Sequence, residues 1–453
     1  MKAHEEHRHF VKSTNQLSVV KRVNILCCTA DSGYTMKTFI PTLLLYVTVL
    51  FLSCKSSIRE SDFKIIGLTT VSDSLRTITV KGEENLIRLE LPDLNNSGSE
   101  LINTGDLIDS VWYVPLETNE EVVIKGVDKI ELYDDKIFVL DNQQKSVLLF
   151  DANGKFVRRV GQVGRGPQEY INPINITIDT FRNQLMVYDD KQSKVMTYDL
   201  DGVFLDEQQI GFRLNDFKVL NDSSYIVNTY LRENSHFAEI SNTQFVKVNR
   251  DWEVQAVGPY YDAENCSSFG HARDAFYTSN NNYLYNPTFS NYVFDYIDDI
   301  LVPKYYFDLK SMNMPENVLC GISMEQFFNK YKGRSSQYAY IDKPIIETEA
   351  WLITSFRYRM MNVYFFYAKA DNRFFWNAIH VTDPQGSSFV PLTPIQGSLS
   401  ENVFFGFRDA TILHGEIERE REKRSLSLEP VLQEIEIGDN PILIFYRLRQ
   451  QTI

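Results

Sequence analysis

The chain has 453 residues, 43% hydrophobic and 13% aromatic, with 25 Tyr and 30 Phe, enough apolar material for a large core. Its formal net charge is −14. An acidic chain repels a phosphate backbone, so no nucleic-acid partner is expected. Tyr, Phe, Val and Ile favour strands. The short basic stretches carry acids among them, and "GEIEREREKR" (Gly415–Arg424) predicts a charged, solvated helical segment near the C-terminus.

In chain order, the first 53 residues differ from the rest. From Met36 the sequence runs "MKTFIPTLLLYVTVLFLSC": Lys37 as a short charged start, an apolar run from Phe39 to Leu52, then Ser53 and Cys54. The run is too short and too weakly flanked for a transmembrane helix. It resembles a bacterial lipoprotein signal, with Phe51 where leucine is usual. The resemblance implies that residues 36–53 are removed and that Cys54 becomes the lipidated first residue, the chain then meeting the membrane through this lipid. An uncleaved anchor is the alternative. Lys55 follows with no Asp behind it, which argues against inner-membrane retention and for an outer-membrane anchor. Residues 1–35 do not read as a signal and are expected to lie upstream of a true start at Met36. With the six basic and three acidic residues before Cys54 set aside, 40 basic and 57 acidic residues remain, a net −17. Cys266 and Cys320 read as buried thiols, with one disulfide the alternative. Residues 54–104 read as an N-terminal tether leading into the fold.

The body of the chain repeats. Val139 to Phe156 reads "VLDNQQKSVLLFDANGKF", and 48 positions later Val187 to Phe204 reads "VYDDKQSKVMTYDLDGVF". Seven of the eighteen positions are identical. Each unit is an apolar strand, a polar turn, a second apolar strand, and then Asn153-Gly154 or Asp201-Gly202. Those dipeptides supply the positive φ of a tight hairpin, so a third strand follows. Weaker echoes place turns at Arg250-Asp251, Asp298-Asp299 and Asp371-Asn372. The longest interval holds "SMEQFFNKYKGR", where Ser323 and Gln326 form a capping-box pattern and Met324, Phe327, Phe328 and Tyr331 share a helical face. An inserted amphipathic helix packed on the strands is expected there. A period of 48 residues built from hairpins is that of a blade of four antiparallel strands. The fold class is therefore all-β: a six-bladed β-propeller over residues 105–453, with seven blades the alternative. The ring is expected to close by pairing "DSVWYVPLE" (Asp109–Glu117) with "PILIFYRLR" (Pro441–Arg449).

"GQVGRGPQEY", Gly161 to Tyr170, has three glycines within six residues. A phosphate cradle needs a helix behind the loop, but Pro167 and "INPINITI" lead into a strand, and no Lys-Ser or Lys-Thr follows. The loop is predicted to be an inter-blade connection. This motif, with "DSVWYVPLET" and the terminal "IGDNPILIFYRL", resembles the six-bladed β-propeller lipoproteins of Bacteroidales, distant relatives of NHL-repeat propellers. The resemblance runs from about Gly105 to the C-terminus. It implies a lipid-anchored envelope protein and leaves the biochemical role open.

Motifs for chemistry are sparse. His236, His271, His380 and His414 form no zinc spacing, and neither a GxSxG elbow nor a Cys-His nucleophile pattern is visible. Asp151, Asp189, Asp190 and Asp199 recur at repeat positions and read as turn and strand-end hydrogen-bonding groups. Residues that would line an axial mouth are Arg165, Glu169 and Tyr170 on the glycine-rich connection, His271 and Arg273 in "FGHARDAFY", and Arg357, which alternates with aromatics in "TSFRYRMMNVYFFY". Arg165 suits bidentate contact with an anion. Each also has a structural reading, as an inter-blade ion pair or a core contact. No catalytic or metal-binding residue is singled out and no cofactor is implied. The expected function is an envelope-anchored, non-catalytic propeller that binds an oligosaccharide, a peptide or an envelope protein. The alternative is a propeller enzyme, a glycan hydrolase or lyase or a metal-dependent lactonase-like hydrolase, with carboxylates or histidines converging on the axis.

Overall fold

The computed structural model describes residues 69–91, 104–261, 275–279, 282–377 and 390–449, apart from 316–317, 319–320, 334–335, 343, 424 and 426. Cys54 and the segments 1–35 and 36–53 lie outside the described residues, as do His271, Arg273, His380, Cys266 and Cys320.

Strand pairing gives six blades, each of four strands running outward from the axis. Blade I holds Lys129–Tyr133, Lys136–Asp141, Ser146–Asp151 and Phe156–Val160. Blade II holds Pro173–Asp179, Gln184–Asp189, Lys194–Asp199 and Phe204–Gln209. Blade III holds Asp216–Asn221, Ser224–Asn228, Thr243–Asn249 and Val254–Tyr260. Blade IV holds Phe276–Ser279, Asn282–Tyr285, Tyr292–Ile297 and Ile300–Asp308. Blade V begins with the interrupted strand Ala339–Ile341 and Ile346–Glu347, followed by Trp351–Tyr358, Met361–Ala368 and Arg373–Asn377. Blade VI takes Ile395–Ser400, Val403–Arg408 and Ile442–Leu448 from the C-terminal region and its outer strand, Ile108–Pro115, from the N-terminal side. This closure is the expected one, with Ile442 opposite Pro115 and Phe445 opposite Trp112.

Apolar faces of neighbouring blades meet in shared clusters. Leu149 and Val160 of blade I pack with Val187 and Tyr198 of blade II, and Phe150 of blade I with Phe405 and Leu443 of blade VI. Each such side chain taken fully out of water contributes roughly 1.5–3 kcal/mol, so no blade is stable without its neighbours.

The repeated hairpin turns join third and fourth strands, and their chemistry is uniform. Asp151 Oδ1 accepts the Asn153 and Lys155 amides, each at 2.9 Å. Asp199 Oδ1 does the same for Asp201 and Val203, and Asn249 Oδ1 for Asp251 and Glu253. Gly154 and Gly202 follow with φ of 79° and 76°. Of the carboxylates read as turn and strand-end groups, Asp151 and Asp199 cap these turns, Asp189 accepts the Lys191 amide at its strand end, and Asp190 instead pairs with Arg232 at 2.5 Å.

Strand alternation separates two faces. Turns between first and second and between third and fourth strands fall on one face, here called lower. Turns between second and third strands, and the blade-to-blade connections, fall on the upper face. The lower turns are short, as at 134–135, 152–155, 222–223 and 401–402. The long segments 161–172, 229–242, 309–338 and 409–441 are all upper.

Within 409–441, Asp409 caps the helix Ala410–Arg421 by accepting the Ile412 amide at 3.1 Å. The sequence predicted a solvated segment, yet Leu413 and Ile417 are buried against blades V and VI and Glu416 is buried in an ion pair with Arg408. Only one side of the helix faces water. Within 309–338, the predicted capping box forms: the Ser323 amide donates to Gln326 Oε1 at 3.0 Å and the Gln326 amide to Ser323 Oγ at 3.2 Å. The helix is a single α turn, Met324–Phe327, followed by a π turn, Phe328–Lys332. The wider turn breaks the expected apolar face: Phe327 and Tyr331 are buried, and Phe328 stays 42% exposed.

Residues before the ring also pair. Val71–Thr77 runs parallel to the outer strand of blade III, and Thr79–Val80 and Ile87–Glu90 run parallel to that of blade IV. Ile78, Leu89 and Leu91 are buried there. This stretch, placed by the sequence in the tether 54–104, lies strapped across two blades.

Candidate functional site

The glycine-rich connection is held from within. Gly161 has φ of 69°, and an added Cβ would stand 2.5 Å from Tyr198 Oη and 2.8 Å from the Tyr170 ring. Tyr170 is buried: its hydroxyl donates to Val160 O at 2.8 Å and accepts the Val147 amide at 3.3 Å. Burial raises its pKa to about 12. Glu169 folds back on its own loop, accepting from the Gly166 amide and from Gln162 Nε2, both at 2.8 Å. Gln192 Nε2 takes the Glu169 carbonyl at 2.8 Å, and Asp189, fully buried, accepts the Ile171 amide at 2.6 Å. Asp141 and Gln144 hold the preceding connection alike, through the Lys125 amide and the Val123 carbonyl. The repeated Asp and Gln are clamps for incoming connections.

Of the predicted binding residues, then, Glu169 and Tyr170 are committed to the loop and the core. Arg165 is exposed on the upper face, with no hydrogen bond or ion pair among the described residues. Arg357, near the upper end of its strand, is held by Asp342 at 2.7 Å and donates to the Met360 carbonyl at 3.3 Å. The structure does not gather these residues into one site. His236 is satisfied by the Gly211 carbonyl at 2.8 Å.

A polar group stands instead at the axis. First strands of neighbouring blades lie against one another. Lys129 opens the first strand of blade I, Asn175 lies near the start of that of blade II, and Asp216 opens that of blade III, so the three converge near the upper mouth of the channel. Lys129 Nζ donates to Asn175 Oδ1 at 3.2 Å and reaches Asp216 Oδ1 at 3.3 Å, and Asn175 Nδ2 donates to the same oxygen at 2.6 Å. Glu131, two residues further in, lies 3.4 Å from Lys129 and 3.6 Å from Lys218. Two lysines and two carboxylates make this partial ring, built on the inner strands of three of the six blades, neutral. Asp216 is fully buried, its Oδ1 held by Lys129 and Asn175, whereas Lys129, Glu131 and Lys218 keep 12%, 24% and 15% of their side-chain surface exposed. Among the described residues no group of three or more His, Cys, Asp or Glu is placed to hold a metal ion.

The sequence reading missed this ring. Its signal was there: in "KIELY", "PINITID" and "DFKVL" the alternate positions carry Lys129 and Glu131, Asn175, Thr177 and Asp179, and Asp216 and Lys218. In a strand with one face toward a core and one toward a channel, that alternation marks the channel side.

A second recess lies on the lower face, between the turns of blades V and VI. This cleft of about 380 Å³ is lined by Glu349, Ala350, Trp351, Ala368, Ala370, Glu401 and Asn402. Glu401 Oε2 accepts the Glu349 amide at 2.6 Å, and Asn402 accepts from Trp351 Nε1 at 3.0 Å, so both serve the packing of the two blades.

The sequence of a family described as "Domain of unknown function (DUF4934)" matches residues 86–447. The chain belongs to this family. The DUF4934 match begins at the second part of the strap and runs to the closing strand, so it takes in all six blades. No curated protein matches the chain. Among solved structures, the DUF4934 chain is similar to a candidate exported protein of Bacteroides fragilis NCTC 9343, with 18% identity over 81% of this chain and 100% of that one and a TM-score of 0.64. A member of the DUF4221 family from Bacteroides vulgatus ATCC 8482 aligns with 12% identity over 77% of this chain and 98% of that one, at a TM-score of 0.48. At such identities the first likeness speaks for the fold.

Proposed function

We propose that this DUF4934 propeller is an exported, non-catalytic binding protein, tethered to the cell envelope by a lipid at Cys54, whose axial mouth takes a hydroxyl-rich oligosaccharide end. The observation that carries the reading is the neutral cluster of Lys129, Glu131, Asn175, Asp216 and Lys218, of which Lys129, Glu131 and Lys218 keep exposed surface. Sugar hydroxyls donate and accept alike, so they match a ring of alternating donors and acceptors without bringing in an unbalanced charge. A fully charged ligand would leave one sign of the ring uncompensated. Export is supported by the lipoprotein-like segment before Cys54 and by the candidate exported protein of the same fold.

The test has two arms. Thermal unfolding of the compact unit Arg59–Ile453 against neutral and charged oligosaccharides, peptides and divalent metals reads binding. A ligand at about 100 times its dissociation constant adds roughly 2.7 kcal/mol. A raised melting temperature with metals alone, or with peptides alone, sinks the glycan reading. Labelling cells with a fatty-acid probe reads the anchor. Loss of label in Cys54→Ser is expected, and retained label excludes lipidation there.

A further inference from the structure

On the upper face, where the 309–338 segment meets blades IV and V, four aromatic rings surround one ammonium. Lys332 Nζ lies 5.3 Å from the centroid of Phe289, 5.4 Å from Tyr340, 5.5 Å from Phe328 and 5.6 Å from Phe327. The rings come from three separate places: Phe289 from the upper turn of blade IV, Phe327 and Phe328 from the helical turn, Tyr340 from the first strand of blade V. They brace one another, with Phe289 5.2 Å from both Phe327 and Tyr340. Phe289 holds φ of 62°, a conformation a bulky residue adopts only where its surroundings require it.

The occupant fits the box badly. Among the described residues the Lys332 ammonium has no hydrogen bond and no ion pair, and burial pulls its pKa below the usual lysine range. Asp342 and Arg357 are the charged groups near it, and they are paired with each other. A primary ammonium carries three N–H donors that want acceptors. A quaternary ammonium has none to satisfy and gains the same attraction from the ring faces. Phe328, exposed at the rim by the π turn, gives the box an outer wall open to solvent.

We propose that Phe289, Phe327, Phe328 and Tyr340 form a binding site for a quaternary ammonium group, and that Lys332 is its resident plug, displaced when the ligand enters. The site is separate from the axial ring and stands or falls without it. The ligand chemistry is that of choline, carried by a free molecule or by a lipid headgroup.

The experiment titrates the intact protein, and its Lys332→Ala variant, with tetramethylammonium chloride and with choline, by calorimetry, using ammonium chloride as the control. Removing the plug should tighten both quaternary ligands by about tenfold or more and leave ammonium without measurable binding. Phe289→Leu placed in the Lys332→Ala background should abolish the gain. Circular dichroism of each variant confirms that it is folded. Absence of binding to a folded Lys332→Ala protein overturns the site, and equal affinity in the two proteins overturns the plug. Flotation of the Lys332→Ala protein with phosphatidylcholine vesicles, competed by free choline, assigns the source to a headgroup. Choline binding without flotation assigns it to a soluble ligand.

Discussion

Asn440 and Ile124 lie 316 positions apart in the chain, and Asn440 Oδ1 accepts the Ile124 amide at 2.6 Å. The same side chain donates to the Glu117 and Val122 carbonyls at 2.6 and 3.1 Å, and its own amide donates to Thr118 Oγ1 at 2.7 Å. Asn440, at the start of the third strand of blade VI, thus holds the connection that leaves blade VI and enters blade I, the connection that Asp141 holds from blade I through the Lys125 amide. It does so across the junction where the two halves of the chain meet.

Asn440→Ala should therefore weaken closure more than its size suggests. It strands two carbonyls and an amide, and a loss of about 2–4 kcal/mol is expected. Urea denaturation with an unchanged slope and a lowered midpoint is the check. A loss within about 0.5 kcal/mol would mean that water replaces the clamp.

Five of the six outer hairpins were legible in the sequence because each leaves a local mark, an Asp or Asn followed by tight-turn residues such as Gly154, Gly202 or Asn372. The sixth has no such mark. Its two strands, Ile442–Leu448 and Ile108–Pro115, come from opposite parts of the chain, and only their shared β-pattern pointed to the pairing. The strap Val71–Glu90 was missed for another reason. It adds strands to blade edges, and its residues "VSDSLRT" are mostly exposed, so no apolar alternation announces it. Of the predicted binding residues, Arg165 is exposed on the upper face. Glu169 and Tyr170 could not be judged from sequence, because what consumes them is Gly166, Val160 and Val147 brought close by the turn.

Tyr170→Phe keeps the ring and removes the hydroxyl, leaving the buried Val160 carbonyl and Val147 amide short of a partner. A loss of about 1–3 kcal/mol is expected, with ligand binding unchanged. A stable protein with lost ligand affinity would return Tyr170 to a binding role. Gly161→Ala should be worse, since it combines φ of 69° with a Cβ pressed against Tyr198 and Tyr170.

Glu347 gives the fold an acid limit. Its carboxylate is buried between blades IV and V, where it accepts from Lys304 at 2.8 Å, Lys369 at 2.6 Å, Tyr305 at 2.5 Å and Ser279. Burial opposes its charge, but the hydrogen bonds from Lys304, Lys369, Ser279 and Tyr305 outweigh that and hold its pKa at about 2. A lowered folded pKa gives stability that is complete above the unfolded value near 4.5 and is lost as pH falls toward about 2. The contribution is on the order of 3 kcal/mol. Denaturation at pH 6 and pH 3 should show Glu347→Gln less pH-sensitive than the parent across that window. Equal slopes would assign the acid sensitivity to other carboxylates.

In the axial ring, Glu131→Gln leaves Lys129 and Lys218 without their shared carboxylate. Both lysines are mostly buried, at 12% and 15% exposure, so a loss of about 1–3 kcal/mol is expected. The ring also becomes net positive. Affinity should shift from neutral toward acidic oligosaccharides, which glycan-array binding of the two proteins would read. An unchanged preference would place the ligand away from the ring.

The central claim is tested most directly by the melting temperature of Arg59–Ile453 with neutral oligosaccharides, measured beside the double variant Glu131→Gln, Lys218→Met, which keeps the ring neutral while removing two of its charges. The account predicts a rise of about 3 °C at saturating ligand in the parent and none in the variant. A rise that survives in the variant, or its absence with every oligosaccharide at millimolar concentration, would contradict it.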